Sequence, residues 1–503
     1  MKKILLFGAG KSATVLIDYL LRHSLAENWI LTVVDANLEL ARQKIGNALG
    51  GEAVGLDITK EAQRQQLISK ADLVISLLPP ALHFLVAKDC LQAGKNLLTA
   101  SYVDEQMRGL QPEIQARGLV FLCEMGLDPG IDHMSAKSLI DEIHAEGGTI
   151  TSFMSHCGGL VAPKNDDNPW HYKISWNPRN IVMAGKAGAL FMEAGATVSL
   201  PYEKLFAEKR LVQVPGADTL CWYPNRDSIP YMTVYGLDDC PTFVRTTLRH
   251  PDFIYGWKNV IDLSLTDETP AYQTDGKSLK EFFTEHMQRH GFQDWLQKKL
   301  QQQFQLSTRV LEDLVKLVGM EAQKQKKGDE PVDEFMAVND KGALEAIDLD
   351  DLKTSAATTV AERMHEAKLT LKQLLFLGMD DRTTQVNKGF CSAADVMQLV
   401  LEKKLPLLPG EQDRVVMVHE IEWQKDGRQF STKSSIDVHG LNDQHTAMAK
   451  TVGLPLGIAA RLILDGTIRV PGLHIPVSRD IYAPVMAELA KNGIVFKEET
   501  APL

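Results

Sequence analysis

The chain has 503 residues, 44% of them hydrophobic, and a formal net charge of −11. That length exceeds what one core accommodates, so roughly two to four domains are expected, with ample apolar content to bury them. The negative balance speaks against nucleic acid or an anionic membrane as the main partner, since the averaged field attracts neither, and an anionic substrate needs a local basic pocket.

The first apolar run, Lys3 to Phe7, stops at Gly8-Ala9-Gly10-Lys11-Ser12-Ala13, where a helical pattern starts. Strand, glycine turn and helix in this order form a dinucleotide cradle: Gly8 and Gly10 bring backbone N–H groups to a pyrophosphate, and small Ala13 lets the helix pack close. The next strand, Trp29 to Val34, ends at Asp35, where an acidic residue meets the adenosine ribose. A carboxylate there accepts the ribose hydroxyls and repels a 2′-phosphate, which leans toward NAD over NADP.

Further strands alternate with helices: Ala53 to Asp57, Asp72 to Leu78 closed by Pro79-Pro80, Asn96 to Ser101, and Leu119 to Cys123. The alternation predicts an α/β, doubly wound parallel sheet whose carboxyl-end loops line the ligand crevice. From Thr149 the chain turns β-rich, and between about Ser278 and Lys404 helical and charged. There Gln301-Gln302-Gln303 and the run Lys324 to Glu330 read as solvated surface. Strands return at Arg414 to Glu420 and Phe430 to Val438 around the turn dipeptide Asp426-Gly427, a hairpin. Apolar helices follow at Thr446 to Leu464 and Ile481 to Lys491, with no run expected to span a bilayer.

Six cysteines are scattered without a CxxC pair or metal-ligand spacing, so no disulfide framework or zinc site is expected and a reducing cytoplasm fits. His419-Glu420 does not continue as HExxH. The amino-terminal apolar stretch is too short for a signal peptide.

Chemistry is expected on four segments. Glu124 to His133 crowds titratable groups into one turn; Asp132 suits a helix N-cap, and Asp128 suits holding an ammonium or accepting a proton. In Ser155 to Gly159, strand alternation lets only one of His156 and Cys157 face a ligand. Arg226 suits bidentate capture of a carboxylate, and Thr247-Leu248-Arg249 offers another anion grip.

Taken together, Asp72 to Pro79, Thr99 to Tyr102, Gly126 to His133, Cys157 to Pro163, Asp167 to Pro169, Tyr172 to Trp176, Tyr223 to Ser228 and Ala447 to Pro455 resemble the L-glutamate-forming saccharopine dehydrogenase family. Departures are Trp170-His171 before Tyr172, and Val161 where proline is frequent. The resemblance implies interconversion of saccharopine with L-glutamate and 2-aminoadipate 6-semialdehyde by nicotinamide-dependent hydride transfer. It implies a variant Rossmann domain, a mixed α/β substrate and dimerisation domain, a small helical domain, and a homodimer. With the segment pattern this gives 1–130 as the dinucleotide domain, with a helix at about 443–466 packing on it. Residues 131–277 and 405–503 form the mixed domain, and 278–404 a mainly helical insertion. By matched position, Ala9 to Ser12, Asp35, Asp57, Ile58 and Leu78 contact NAD or NADP. Ser101, Tyr102, Asp128, Cys157, Arg226, Thr247, Leu248 and Arg249 contact saccharopine, and Asp128, Cys157 and Tyr102 are the candidates for acid–base work. The alternatives are a carboxynorspermidine-type imine-linking reductase and a non-catalytic dinucleotide-binding scaffold.

Overall fold

The computed structural model describes residues 1–215, 218–326, 334–338 and 344–503. Part of the charged run, Lys327 to Glu330, lies outside the described residues. The chain forms two compact units, 1–254 with 405–503, and 255–404.

In the first unit, β1 (Lys2–Phe7), β2 (Trp29–Asp35), β3 (Gly51–Gly55), β4 (Leu73–Ser76), β5 (Asn96–Thr99) and β6 (Val120–Leu122) build a parallel sheet in the order 6-5-4-1-2-3. β1 and β4 are fully apolar toward both faces except at their ends, as a strand covered on both sides requires. The order reverses between β1 and β4, and the glycine turn leaves β1 at this switch point. A seventh strand, Gly472–His474, pairs parallel with β6 and comes from the far end of the chain.

The helix Ala447–Leu464 crosses the helix Thr14–His23. Their contact is close because Gly453 and Gly457 face Leu16 and Tyr19, where a Cβ at either glycine would meet atoms under 3.0 Å away. This helix corrects one expectation: by length and apolarity it is able to cross a membrane, yet 72% of it is buried within the fold.

A ten-stranded mixed sheet completes this unit. Its central β7 (Thr149–Val161) runs parallel to the strand Thr242–Arg249 and antiparallel to Asp413–Lys425. The latter continues into Arg428–His439 through the expected hairpin, with Asp426 and Gly427 both at positive φ, the conformation that a two-residue turn between twisted strands needs.

The second unit is mainly helical. Its Leu279–Arg289 helix opens with a capping box between Ser278 and Glu281, and Trp295–Lys326 packs along Leu349–Phe376. The unit begins at Tyr255, ahead of the compositional shift at Ser278, because Tyr255 and Tyr272 already bond within it, to Thr370 and His286. Gln303 departs from the solvated reading: it is buried and donates to Glu366 at 3.2 Å.

Candidate functional site

The glycine turn is shaped by close approach. Gly8 sits at φ +102°, and a Cβ there would lie 2.6 Å from the Leu77 carbonyl, so β1 and the end of β4 meet only through a glycine. Gly10 has open space where its Cβ would be, which leaves backbone exposed to a ligand. Ala13 is buried under the following helix. Asp35 Oδ2 accepts the Ala9 N–H at 2.8 Å and Oδ1 accepts the Asn37 N–H at 2.8 Å, so one carboxylate ties the turn to the end of β2. Its remaining lone pairs are free to accept hydroxyls. These features fit a dinucleotide, with Gly8 to Ser12 against the pyrophosphate and Asp35 against the ribose.

Lys11 reaches the Ile174 carbonyl at 3.4 Å, and Ser12 is half-buried beside it. Asp57 is exposed after β3; the Thr59 hydroxyl and N–H bond to it and hold its carboxyl below the usual range. Ile58 and Leu78 are half-buried on the same sheet's carboxyl-end side.

The second cluster gathers around the Glu124 to His133 turn. Gly130, at φ +147°, closes on Gly126, where any Cβ would clash at 2.1 Å. The helix Ile131–Ala145 starts there with Gly130 as its N-cap, which corrects the capping role expected of Asp132. Asp132 instead lies inside the first turn: Oδ1 accepts the Gly130 N–H at 2.6 Å, and Oδ2 accepts from Arg245 at 2.7 Å. The same Arg245 nitrogen donates to Asp128 Oδ1 at 2.9 Å, and the Tyr102 hydroxyl donates to that oxygen at 3.2 Å.

Strand alternation explains how the cations arrive. Along Thr242–Arg249, residues 245, 247 and 249 point to one face, and Thr247 lies in register with Cys157 of β7. Arg245, Thr247, Arg249 and Cys157 therefore share a face. Thr246, Leu248 and His156 share the other, where His156 lies 2.7 Å from the Thr246 hydroxyl and near the Trp222 ring. Leu248 packs against Gly158, and its carbonyl accepts from Arg249 at 2.7 Å. Arg249 is buried, with its guanidinium 5.3 Å from the Tyr172 ring centre and its Nε unpartnered among the described residues. A buried donor without an acceptor is costly, and an anionic ligand group would satisfy it. Arg226 is exposed, at φ +56°, with its guanidinium 5.1 Å from the Tyr102 ring centre.

Burial sorts the acid–base candidates. It drives the Cys157 thiol and the Tyr102 phenol well above their usual ranges, helped by Asp128, so both stay neutral near pH 7. Asp128 is raised to about 6 by burial and by Asp132, against the pull of Arg245. Burial opposes ionisation of Asp132 too, but His133 and Arg245 outweigh it and keep this carboxyl below its usual range. Asp128 is the group of the three able to exchange a proton at physiological pH, which narrows Cys157 and Tyr102 to contact and donor roles.

Several partners escaped the sequence reading. Arg245 is the chief one; its spacing of two and four from Thr247 and Arg249 on a predicted strand was the available signal. Glu124 Oε2 lies 2.8 Å from His133 Nε2 and accepts the Tyr231 hydroxyl at 3.2 Å, while His133 Nδ1 lies 2.7 Å from the Tyr235 hydroxyl. His83, buried and pushed down to about 4 by desolvation, bridges Ser76 and Ser101 at 2.8 and 2.7 Å, and so orients the Ser101 hydroxyl.

Residues 4–122 match the family model described as the saccharopine dehydrogenase NADP binding domain, and residues 126–494 the saccharopine dehydrogenase C-terminal domain. The NADP(+), L-glutamate-forming saccharopine dehydrogenase of Saccharomyces cerevisiae is 31% identical over 504 residues, covering 99% of each chain. The mitochondrial alpha-aminoadipic semialdehyde synthase of Bos taurus is 30% identical over 99% of this chain and 48% of its own length. The solved apo saccharopine dehydrogenase (L-Glu forming) from S. cerevisiae superposes with a TM-score of 0.77 at 27% identity, covering 100% of both chains. A homospermidine synthase from Legionella pneumophila, at 9% identity and a TM-score of 0.50, shares the fold.

Proposed function

Since the chain belongs to the saccharopine dehydrogenase family, we propose that it is an oxidoreductase that interconverts saccharopine with L-glutamate and 2-aminoadipate 6-semialdehyde. The observation that carries this reading is Arg249, a buried cation whose Nε has no partner among the described residues, on one strand face with Arg245, which donates to the carboxylate of Asp128. Saccharopine has three carboxylates and two amines, so its site needs cations and an acid together.

Held by Gly8 to Ser12 and Asp35, a nicotinamide dinucleotide would supply the hydride-accepting chemistry in the oxidative direction. Asp128 removes the proton from the bridging ammonium of saccharopine, so that the nitrogen lone pair is available as the neighbouring C–H bond breaks. Arg245 and Tyr102 hold Asp128 ionised and oriented. Arg226 and Arg249 bind substrate carboxylates, Ser101 is aligned by His83, and Cys157 and Thr247 line the cleft between them. Loss of the hydride leaves a substrate iminium; Asp128, its first proton released to solvent, takes a proton from the attacking water and gives it to the nitrogen as the C–N bond breaks and the hydroxyl proton leaves, which releases the glutamate amine and the aldehyde. Orientation of the reacting carbon supplies much of the remaining acceleration.

For the cofactor we propose a preference for NAD, although the relatives are named for NADP(+). Asp35 places a negative charge at the ribose end of β2, Ala36 and Asn37 add no cation, and Arg42 is engaged with Glu39 at 2.6 Å. Purified protein incubated with saccharopine and NAD is expected to release glutamate and reduced nicotinamide in equal amounts. Absence of both with either cofactor overturns the reading.

A further inference from the structure

Outside the saccharopine site, the loop bearing His171 and the start of the helix Pro251–Asp262 bring together His171, His250 and Asp252, with one ligand-capable atom from each lying within 4.8 Å of the others. The two imidazoles stack, with ring centres 3.8 Å apart and planes at 26°. Asp252 Oδ2 lies 3.4 Å from His171 Nε2. A tetrahedral ion with bonds of about 2.1 Å sets its ligand atoms roughly 3.4 Å apart, so this pair already spans one edge of such a site.

Asp166 supplies the outer support. Its Oδ2 lies 2.7 Å from His171 Nδ1, which places a proton on Nδ1 and turns Nε2 toward Asp252, where a bound cation would displace the Nε2 proton. That carboxylate–histidine relay is the arrangement that orients imidazole ligands on zinc. The other oxygen, Asp166 Oδ1, is buried with no hydrogen-bond partner among the described residues.

We propose that His171, His250 and Asp252 form a binding site for a divalent transition metal, zinc being the best match, with Asp166 as the carboxylate behind His171 and water as the fourth ligand. His250 exchanges the 3.1 Å bond that its Nδ1 accepts from the Asp252 amide for the metal. The expectation of no zinc rested on cysteine spacing; this set contains no cysteine, and its histidines stand 79 positions apart in sequence (250 − 171). His250 follows Arg249, and His171 precedes Tyr172, whose ring lies under the Arg249 guanidinium. A metal would therefore tie together the two segments that carry this anion grip.

The test titrates untagged, chelator-treated full-length protein with zinc chloride against a competing chromophoric chelator, and follows thermal unfolding of the same samples. One zinc per chain with a dissociation constant of micromolar or tighter, and a higher unfolding midpoint, is expected. Asp252→Asn, which keeps the side-chain shape, and His250→Ala should each abolish that class of binding. Asp166→Asn should weaken it by about tenfold to a hundredfold, as loss of an outer-shell partner does. If wild type and Asp252→Asn hold zinc equally, or if wild type holds none, the cluster is only a histidinium clamped between two carboxylates and the proposal fails.

Discussion

Arg245 Nη2 lies 2.9 Å from Asp128 Oδ1 and 2.7 Å from Asp132 Oδ2, so a single buried cation joins the carboxylate turn after β6 to the strand that carries Arg249. Its guanidinium also lies 4.3 Å from the Tyr231 ring centre and 5.9 Å from that of Tyr102. Arg245→Met is expected to leave the buried Asp132 and the half-buried Asp128 carboxylates without their counter-ion and to cost about 3–5 kcal/mol of folding stability, read from denaturant unfolding. Arg245→Lys should lose less, since it keeps the charge but not the fork. A cost under ~1 kcal/mol for the methionine variant would mean the pair is not closed in solution.

The raised Asp128 carboxyl gives a pH signature. As pH falls through about 6 the carboxylate gains a proton and can no longer take one from the substrate, so kcat/KM for saccharopine should drop about tenfold per pH unit below that point. The limb belongs to the coupled Asp128 and Asp132 pair rather than to one microscopic site. Asp128→Asn should lower kcat by roughly 10²–10⁴-fold and remove the limb. An unchanged acid limb in that variant assigns the base elsewhere.

Cys157→Ser tests the thiol. Burial keeps the thiol neutral, so serine should preserve the pH profile, with a change in kcat/KM within about tenfold, or ~1.4 kcal/mol. Loss of the alkaline or acid limb in the serine variant would restore Cys157 to acid–base chemistry.

The strand–helix alternation, the glycine turn, the Asp426-Gly427 hairpin and the crowded turn at Asp128 were all legible because each is written in a short window: periodicity, turn residues, or several titratable groups within ten positions. Arg245 was not, since its partners lie 117 and 113 residues away and nothing local distinguishes a strand arginine that pairs from one that meets solvent. The Gly472–His474 strand escaped for a different reason: three residues carry too little pattern, and only pairing with β6 makes them a strand. The capping role misassigned to Asp132 shows the same limit, because an acidic residue near a helix start serves either a cap or a distant cation.

Arg226→Ala should raise the KM for saccharopine while sparing cofactor affinity. Because Arg226 is exposed in the free protein, the loss is expected at about 1–3 kcal/mol, or roughly fivefold to 150-fold, the range of a charge-assisted hydrogen bond to a carboxylate. A KM within twofold of wild type would place Arg226 outside the substrate contact.

Cations on one strand face, set against Asp128, are expected to select a substrate with three carboxylates, and kcat/KM measured in parallel for saccharopine and for carboxynorspermidine, which has fewer carboxylates, each with NAD and with NADP, decides it. A saccharopine advantage of at least about a thousandfold, or ~4 kcal/mol, is expected, because a poorer anion leaves the buried Arg249 Nε without an acceptor. Equal values, or an advantage for carboxynorspermidine, would contradict it.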